Sequence, residues 1–270
     1  MKRPHKLNED AHLLRFFKYG AGDAVVVLHG QISTHGYMRD VVNLIKDKKT
    51  VYSFDLLGFG DSPRPRLAAY SVAQHVKSLH ATLIDAKVKT PFIIVGHSMG
   101  SQLALAYAAA YPTDVKALVI SGLPLFEGPK TAYIQMGAMN PRIEWILKGK
   151  RARLLRVLTR IAEPTTMKIA GIIGNSDYPT HVVRESVRHS WVSFKRSMEN
   201  VVIGYDAFTD IKKITQPIKF IFANEDTINR NAKLKLAPYL SLNHTFIMLT
   251  GSHQIPLEHP KIIAEQVLSV

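Results

Sequence analysis

A serine set between two glycines, Ser98 in the run Gly96-His97-Ser98-Met99-Gly100, has the residue types and spacing of a nucleophile held in a tight turn. Residues 92–95 before it are uniformly apolar, as in a buried strand, and residues 103–110 after it are rich in Ala and Leu, as in a helix. Glycine on either side of the serine lets neighbouring backbone approach the turn closely. The sequence therefore predicts a hydroxyl held out at the tip of a strand.

A serine hydroxyl becomes a useful nucleophile when a base takes its proton and an acid orients that base. Of the twelve histidines, we expect His253 to be the base, because it follows the apolar run 244–249 and precedes a helical pattern. We expect Asp226 to be the acid, because it follows the apolar run 218–223, and its neighbour Glu225 is the alternative. The order serine, acid, histidine along the chain is one that accompanies this kind of turn.

Backbone N–H groups are the expected donors to the oxyanion that a serine attack would create. One should belong to Met99, which follows the nucleophile at the start of a helix, where the helix dipole also favours negative charge. The other should belong to Gln31, in the loop after an apolar strand that ends in His29-Gly30.

Most of the remaining histidines are expected to have no part in the chemistry. His29 and His97 should be fixed in hydrogen bonds beside the site. Surface or loop positions are expected for His35, His75, His80 and His259.

Taken together, these motifs resemble those of the α/β-hydrolase fold family, in its capped, single-domain form. Besides the serine turn, the resemblance rests on His29-Gly30, on residues 55–62, on Asn224-Glu225-Asp226, and on His253 with Pro256 and residues 258–260. It implies an α/β architecture, a mostly parallel central sheet flanked by helices, with an inserted helical cap. It also implies a carboxylesterase-like serine hydrolase in which Gln31 supplies an oxyanion amide.

Strand patterns recur at about 24–29, 51–57, 92–97, 117–121, 218–223 and 244–250, with an antiparallel edge expected near residues 13–18. One gap between strands is close to a hundred residues long, and the chain inside it is helical in pattern. We therefore predict a core made of residues 1–123 and 201–270 and a helical cap insertion over residues 124–200.

Composition agrees with one globular domain, since 270 residues with 46% hydrophobic content can bury a sizeable core. There is no run of eighteen apolar residues and no signal-peptide pattern at the N-terminus, so neither a membrane span nor secretion is expected. The absence of cysteine excludes disulfides and fits the cytoplasm. We expect no metal and no cofactor, and the sequence leaves the oligomeric state open.

The net charge of +14 is large, and residues 124–200 carry +7 of it, from thirteen Lys or Arg against six Asp or Glu. Within them Arg153, Arg156 and Arg160 share one helical stripe. We predict that this stripe faces solvent. The alternatives are weak association with an anionic surface or an anionic ligand. Nucleic acid is not expected as a partner, because no binding motif accompanies the charge.

The expected partner is a small-molecule substrate. Apolar and aromatic side chains of the cap would supply its binding pocket, and the candidates are Tyr133, Met136, Trp145 and Trp191. A serine with an oxyanion hole suits a small or medium, largely apolar carboxylic ester. The alternatives on the same residues are a carbon-carbon bond hydrolase, a thioesterase, an acyltransferase, or a ligand sensor with little turnover.

Overall fold

A single sheet organises the part of the chain that the computed structural model describes, which is residues 9–126, 128, 130–132, 179–229 and 231–270. Its strands are β1 (Phe16–Tyr19), β2 (Asp23–Leu28), β3 (Lys49–Phe54), β4 (Phe92–His97), β5 (Val115–Ser121), β6 (Ile218–Ala223) and β7 (His244–Leu249). Their order across the seven-stranded sheet is β1-β3-β2-β4-β5-β6-β7. The pairing of β1 with β3 is antiparallel, and the other pairings are parallel. The predicted α/β class, with its antiparallel edge, is confirmed.

Helices cover both faces of this sheet. They are α1 (Arg39–Ile45), α2 (Val72–Asp85), α3 (Met99–Ala110), α4 (Thr180–Glu185), α5 (Trp191–Ser197), α6 (Ala207–Ile211), α7 (Ala232–Leu236), α8 (Ile255–Glu258) and α9 (Pro260–Leu268). Successive side chains of a strand point to opposite faces, so Val26 and Leu28 of β2 pack with α2 and α3, whereas Val25 and Val27 pack with α1 and α9. Strands buried on both faces are uniformly apolar, which is why the sequence marks them clearly.

The third strand ends three residues earlier than the sequence pattern indicates. Asp55 leaves the sheet because its carboxylate accepts hydrogen bonds from the backbone N–H of His35 and of Asp61, both at 2.8 Å. Burial alone would raise the pKa of Asp55, but the hydrogen bond from the His35 ring, the nearby His29 and these N–H donors lower it to about 2. The ionised side chain therefore ties the loops after β2 and β3 together.

The carboxyl ends of the parallel strands meet along one edge of the sheet, where open α/β folds place their sites. Ser98 directly follows β4, Asp226 lies three residues beyond β6, and His253 lies four residues beyond β7. The topology thus carries three distant parts of the chain to one place.

Most of the predicted cap, including the Arg153, Arg156 and Arg160 stripe, lies outside the described residues. The described part contains α4 and α5, followed by a π-helical turn at Met198–Ile203. It rests on the loop after β3, where the hydroxyl of Ser193 donates to the carbonyl of Gly58 at 2.9 Å. Within the described ranges, no helix is long and apolar enough to cross a membrane.

Candidate active site

Ser98 stands in a sharp turn between β4 and α3. Its backbone lies at φ 52° and ψ −119°, a conformation that side-chain-bearing residues rarely adopt and that marks local strain. A Cβ added at Gly96 would meet the carbonyl oxygen of Gly100 at 2.5 Å, and one added at Gly100 would meet that of Leu28 at 2.4 Å. Both glycines are therefore needed for the close packing that holds the serine in this turn.

The structure brings the three predicted side chains into one hydrogen-bonded line. Ser98 Oγ lies 3.0 Å from His253 Nε2, and His253 Nδ1 lies 2.7 Å from Asp226 Oδ2. With its Nδ1–H donated to the carboxylate, the imidazole presents an unprotonated Nε2 to the hydroxyl. This is the arrangement that removes a proton from a serine.

Asp226 is fixed by several donors and is almost fully buried, with 2% of its surface exposed. Its carboxylate accepts from the backbone N–H of Ile228 at 2.9 Å and from the Asn229 amide at 2.7 Å. Burial would raise the pKa of Asp226, but the hydrogen bonds from His253, Asn229 and Ile228 outweigh burial and lower it. Glu225, the alternative acid, has an exposed side chain.

Both residues predicted to supply oxyanion donors are near Ser98. Met99 occupies the first position of α3, where a backbone N–H has no partner within the helix. Gln31 lines the same cavity as Ser98. Its side-chain amide donates to the carbonyl of Phe194 at 2.8 Å, which anchors the loop that carries its backbone N–H.

His29 and His97 are both held in hydrogen bonds, as expected. His29 Nδ1 lies 2.7 Å from the carbonyl of Gly30, and its Nε2 accepts from the backbone N–H of Leu56 at 3.0 Å. Burial lowers the pKa of His29 to about 4. His97 Nδ1 lies 3.2 Å from Ser121 Oγ, and burial, with His253 nearby, lowers the pKa of His97 well below its ordinary value.

The expectation that His75 lies at the surface is wrong. His75 sits on the buried face of α2 with 2% of its surface exposed, and its Nε2 lies 3.2 Å from Ser197 Oγ. Burial lowers the pKa of His75 to about 3. The sequence could not show that the segment around Ser197 covers this helix.

A cavity of about 450 Å³ opens beside Ser98. Its described lining is Gly30, Gln31, Ile32, Ser33, Tyr37, His97, Ser98, Val182, Val183, Ser186, His253 and Gln254. None of these described residues is Lys, Arg, Asp or Glu. Despite the strongly positive chain, the described wall of the cavity is therefore uncharged.

Of the four residues predicted to line the pocket, the structure describes one. Tyr133, Met136 and Trp145 lie outside the described residues. Trp191, at the start of α5, packs 5.6 Å from the ring of Phe194 and is not among the described residues that line the cavity.

Sequence reasoning missed several residues around the site. Asn229 and Ser121 hold Asp226 and His97, while Tyr37 and Gln254 line the cavity and hydrogen-bond to each other. Gln254 could have been suspected because it follows His253 directly. The others carry no pattern in the sequence that distinguishes them from ordinary polar residues.

Comparison with known proteins agrees with the fold. A family model described as the alpha/beta hydrolase fold matches residues 23–143. A probable lysophospholipase of Arabidopsis thaliana, BODYGUARD 2, is 36% identical over 116 residues, which are 41% of this chain and only 24% of that protein. The uncharacterized hydrolase YugF of Bacillus subtilis is 26% identical over 90% of this chain and 88% of its own.

Among solved structures, an esterase from Exiguobacterium antarcticum superposes with a TM-score of 0.72 at 18% identity, covering 95% of this chain and 94% of the esterase. At that identity the likeness concerns the fold. The sheet, the family-model match over residues 23–143 and the structural likeness together show that the chain has the α/β-hydrolase fold.

Proposed function

We propose that this chain is a serine hydrolase that cleaves uncharged carboxylic esters through a covalent acyl-enzyme on Ser98. The observation that carries the proposal is the line from Ser98 Oγ to His253 Nε2, 3.0 Å, and from His253 Nδ1 to Asp226 Oδ2, 2.7 Å, at the wall of a cavity. A hydroxyl beside an imidazole that a buried carboxylate orients is suited to attack on an acyl carbon.

In the acylation step, Ser98 Oγ forms a bond to the carbonyl carbon while its proton passes to His253 Nε2. Asp226 keeps the Nδ1–H and stabilises the imidazolium that forms. The backbone N–H groups of Met99 and Gln31 donate to the oxyanion. As the bond from carbon to the alcohol oxygen breaks, the imidazolium returns its proton to that oxygen and the alcohol leaves.

Deacylation repeats the sequence with water. His253 takes one proton from the water as the oxygen bonds to the acyl carbon, and it then protonates Ser98 Oγ as the acyl-enzyme bond breaks. A carboxylic acid leaves and the starting hydroxyl is restored.

The cavity supports a substrate of small or medium size. A volume of about 450 Å³ lies in the ordinary range for such ligands, and the described lining holds apolar side chains together with uncharged polar ones. The names of the comparison proteins, an esterase and a probable lysophospholipase, support an ester bond as the one cleaved.

Labelling with a fluorophosphonate tests the nucleophile. The wild-type protein should be labelled at one serine, and Ser98→Ala should abolish both labelling and ester turnover, by about a thousandfold or more, because the hydroxyl carries the covalent step. Ser269→Ala is the matched control, since that exposed hydroxyl is not among the described residues lining the cavity. Residual turnover above about 1% in Ser98→Ala would remove Ser98 from this role.

A panel of matched esters, thioesters and amides then tests the bond that is cleaved. We expect the largest kcat/KM for the uncharged esters. Labelling of Ser98 without turnover of any panel member would contradict the hydrolase proposal and favour a ligand-binding protein that keeps the site.

A further inference from the structure

His97 is a polar residue beside the site that the proposed mechanism leaves unused. His97 is among the residues that line the cavity, and the centre of its ring lies 5.0 Å from that of the His253 ring. Only 3% of the residue is exposed, so the part of it that can meet a ligand is small and well defined.

The hydrogen bonds around Ser121 determine which nitrogen of His97 carries the proton. Ser121 Oγ lies 3.2 Å from the carbonyl oxygen of Gly96 and 3.2 Å from His97 Nδ1. The Ser121 hydroxyl donates its one proton to the carbonyl oxygen of Gly96. Ser121 Oγ then accepts from His97 Nδ1–H, which leaves a lone pair on Nε2.

The ring of His97 is held in place from several sides. Tyr37 stacks on it with ring centres 5.3 Å apart and an angle of 21° between the planes. A Cβ on Gly30 would stand 3.3 Å from its Cδ2, and a Cβ on Gly122 would stand 3.1 Å from its Cε1. Nε2 lies between these two ring carbons, and the side-chain hydrogen bond of the ring is made by the other nitrogen, Nδ1.

An acceptor in this position selects for a donor on the ligand. The described cavity lining contains no carboxylate that would hold a cationic donor, and the chain as a whole is strongly positive. An uncharged hydroxyl is the donor that fits both observations. Because His97 adjoins Ser98, that hydroxyl would lie close to the scissile ester.

We propose that His97 is a specificity-determining residue whose Nε2 accepts a hydrogen bond from a hydroxyl group near the scissile bond, so that uncharged, hydroxyl-bearing esters are the preferred substrates. This inference rests on the proposed ester hydrolysis. It adds the class of ester that the site would favour.

Two pairs of esters of nearly equal shape test the proposal in the wild-type protein. In 2-hydroxyethyl butyrate and propyl butyrate the hydroxyl is present or absent on the alcohol side. In ethyl 3-hydroxybutyrate and ethyl 3-methylbutyrate it is present or absent on the acyl side. We expect kcat/KM to be about fivefold higher for the hydroxylated member of at least one pair, as for one net hydrogen bond, and that pair identifies the side that faces His97.

The same ratio is then measured in His97→Phe, which keeps an aromatic ring against Tyr37 but has no acceptor. The ratio should fall to about one, whereas the control His80→Phe, on a partly exposed histidine of α2, should keep the wild-type ratio. If His97→Phe is no longer labelled by the fluorophosphonate and so has lost its site, the smaller His97→Leu, which also has no acceptor, replaces it in the comparison.

Equal kcat/KM within both pairs in the wild type would overturn the proposal, and so would a preference that survives in the His97 variant. Absence of Ser98-dependent turnover is a different result and counts against the proposed hydrolysis. In a protein that is labelled without turnover, the same esters are compared as competitors of labelling. Equal competition within each pair would again overturn the role of His97.

Discussion

Ser98 shows how much of a reactive residue's setting the sequence can specify. Glycines at positions 96 and 100 predict a close approach of backbone to the turn, and the contacts that a Cβ would make there account for both. The hydrogen-bond partners of the other reacting side chains could not be predicted. Asn229 reaches Asp226 only because a short helical turn at Thr227–Asn229 follows the strand, and that conformation has no signature in residue type.

The two adjacent carboxylates offer a matched test of the acid. Asp226→Asn should lower kcat/KM for an ester by about a thousandfold, because an amide in place of the carboxylate cannot hold the Nδ1–H tautomer of His253. Glu225→Gln should change kcat/KM by less than about twofold, since that side chain is exposed. Steady-state kinetics of both variants gives the comparison. A larger loss in Glu225→Gln would mean that the acid is misassigned.

At the level of elements, the strands were predictable and the contacts of α4 were not. Strands β2, β4, β5 and β6 are mostly apolar and buried on both faces, so their positions can be located to within a few residues. The contacts of α4 with the core join residues far apart in sequence. The Thr34 hydroxyl donates to Glu185 of α4, 151 residues away. Arg188, three residues beyond α4, forms an ion pair with Asp61. No local sequence pattern predicts either contact.

The hydrogen bond from Thr34 to Glu185 holds α4 in place over the cavity, and α4 is called the roof below. Glu185 ends α4, and Val182 and Val183 of the same helix line the cavity. Thr34→Val keeps the shape of the side chain but removes the hydroxyl that donates to Glu185. The position of α4 against the core should therefore become less well fixed. We expect KM for an uncharged ester to rise severalfold while kcat changes by less than about twofold, because Ser98, Asp226 and His253 are held by the sheet.

Thr50→Val provides the control for this variant, because the Thr50 hydroxyl donates to Gly22 in an exposed part of the chain. Steady-state kinetics on both variants separates KM from kcat. A fall in kcat at unchanged KM in Thr34→Val would show that Thr34 supports the reacting residues rather than the roof.

For the molecule as a whole, composition predicts a single core but not the charge of the described cavity wall. Residues 124–200 carry half of the net charge, and the described cavity wall carries none. The absence of charge on the described wall depends on which side chains of α4 and of the neighbouring loops face the cavity, and packing rather than composition decides this.

Buried histidines should make the stability of the protein sensitive to acid. The pKa of His29 is lowered to about 4, that of His75 to about 3, and that of His97 also lies well below its ordinary value, in each case chiefly through burial. An unfolded chain therefore binds more protons than the folded one below about pH 6.5. The stability these groups contribute is fully present above that pH and is lost as the pH falls toward 4.

Urea unfolding at pH 7 and pH 5 measures this loss. Each such histidine should contribute roughly 1.4 kcal/mol per pH unit to the slope within this window. His75→Gln should lower the slope of the unfolding free energy against pH by the contribution of one histidine. His80→Gln, which changes a partly exposed histidine, is the control. An unchanged slope in His75→Gln would contradict a neutral buried His75.

Gly122 packs against two imidazole rings at once, those of His253 and His97. At φ +57° this residue stands where a Cβ would lie 3.0 Å from Cε1 of His253 and 3.1 Å from Cε1 of His97. The glycine α-hydrogen that takes the place of that Cβ is therefore in contact with the Cε1–H groups of both imidazoles. In a nuclear magnetic resonance spectrum, this one glycine α-hydrogen should therefore show a nuclear Overhauser effect to both imidazoles, which would identify the signals of His97 and His253 together.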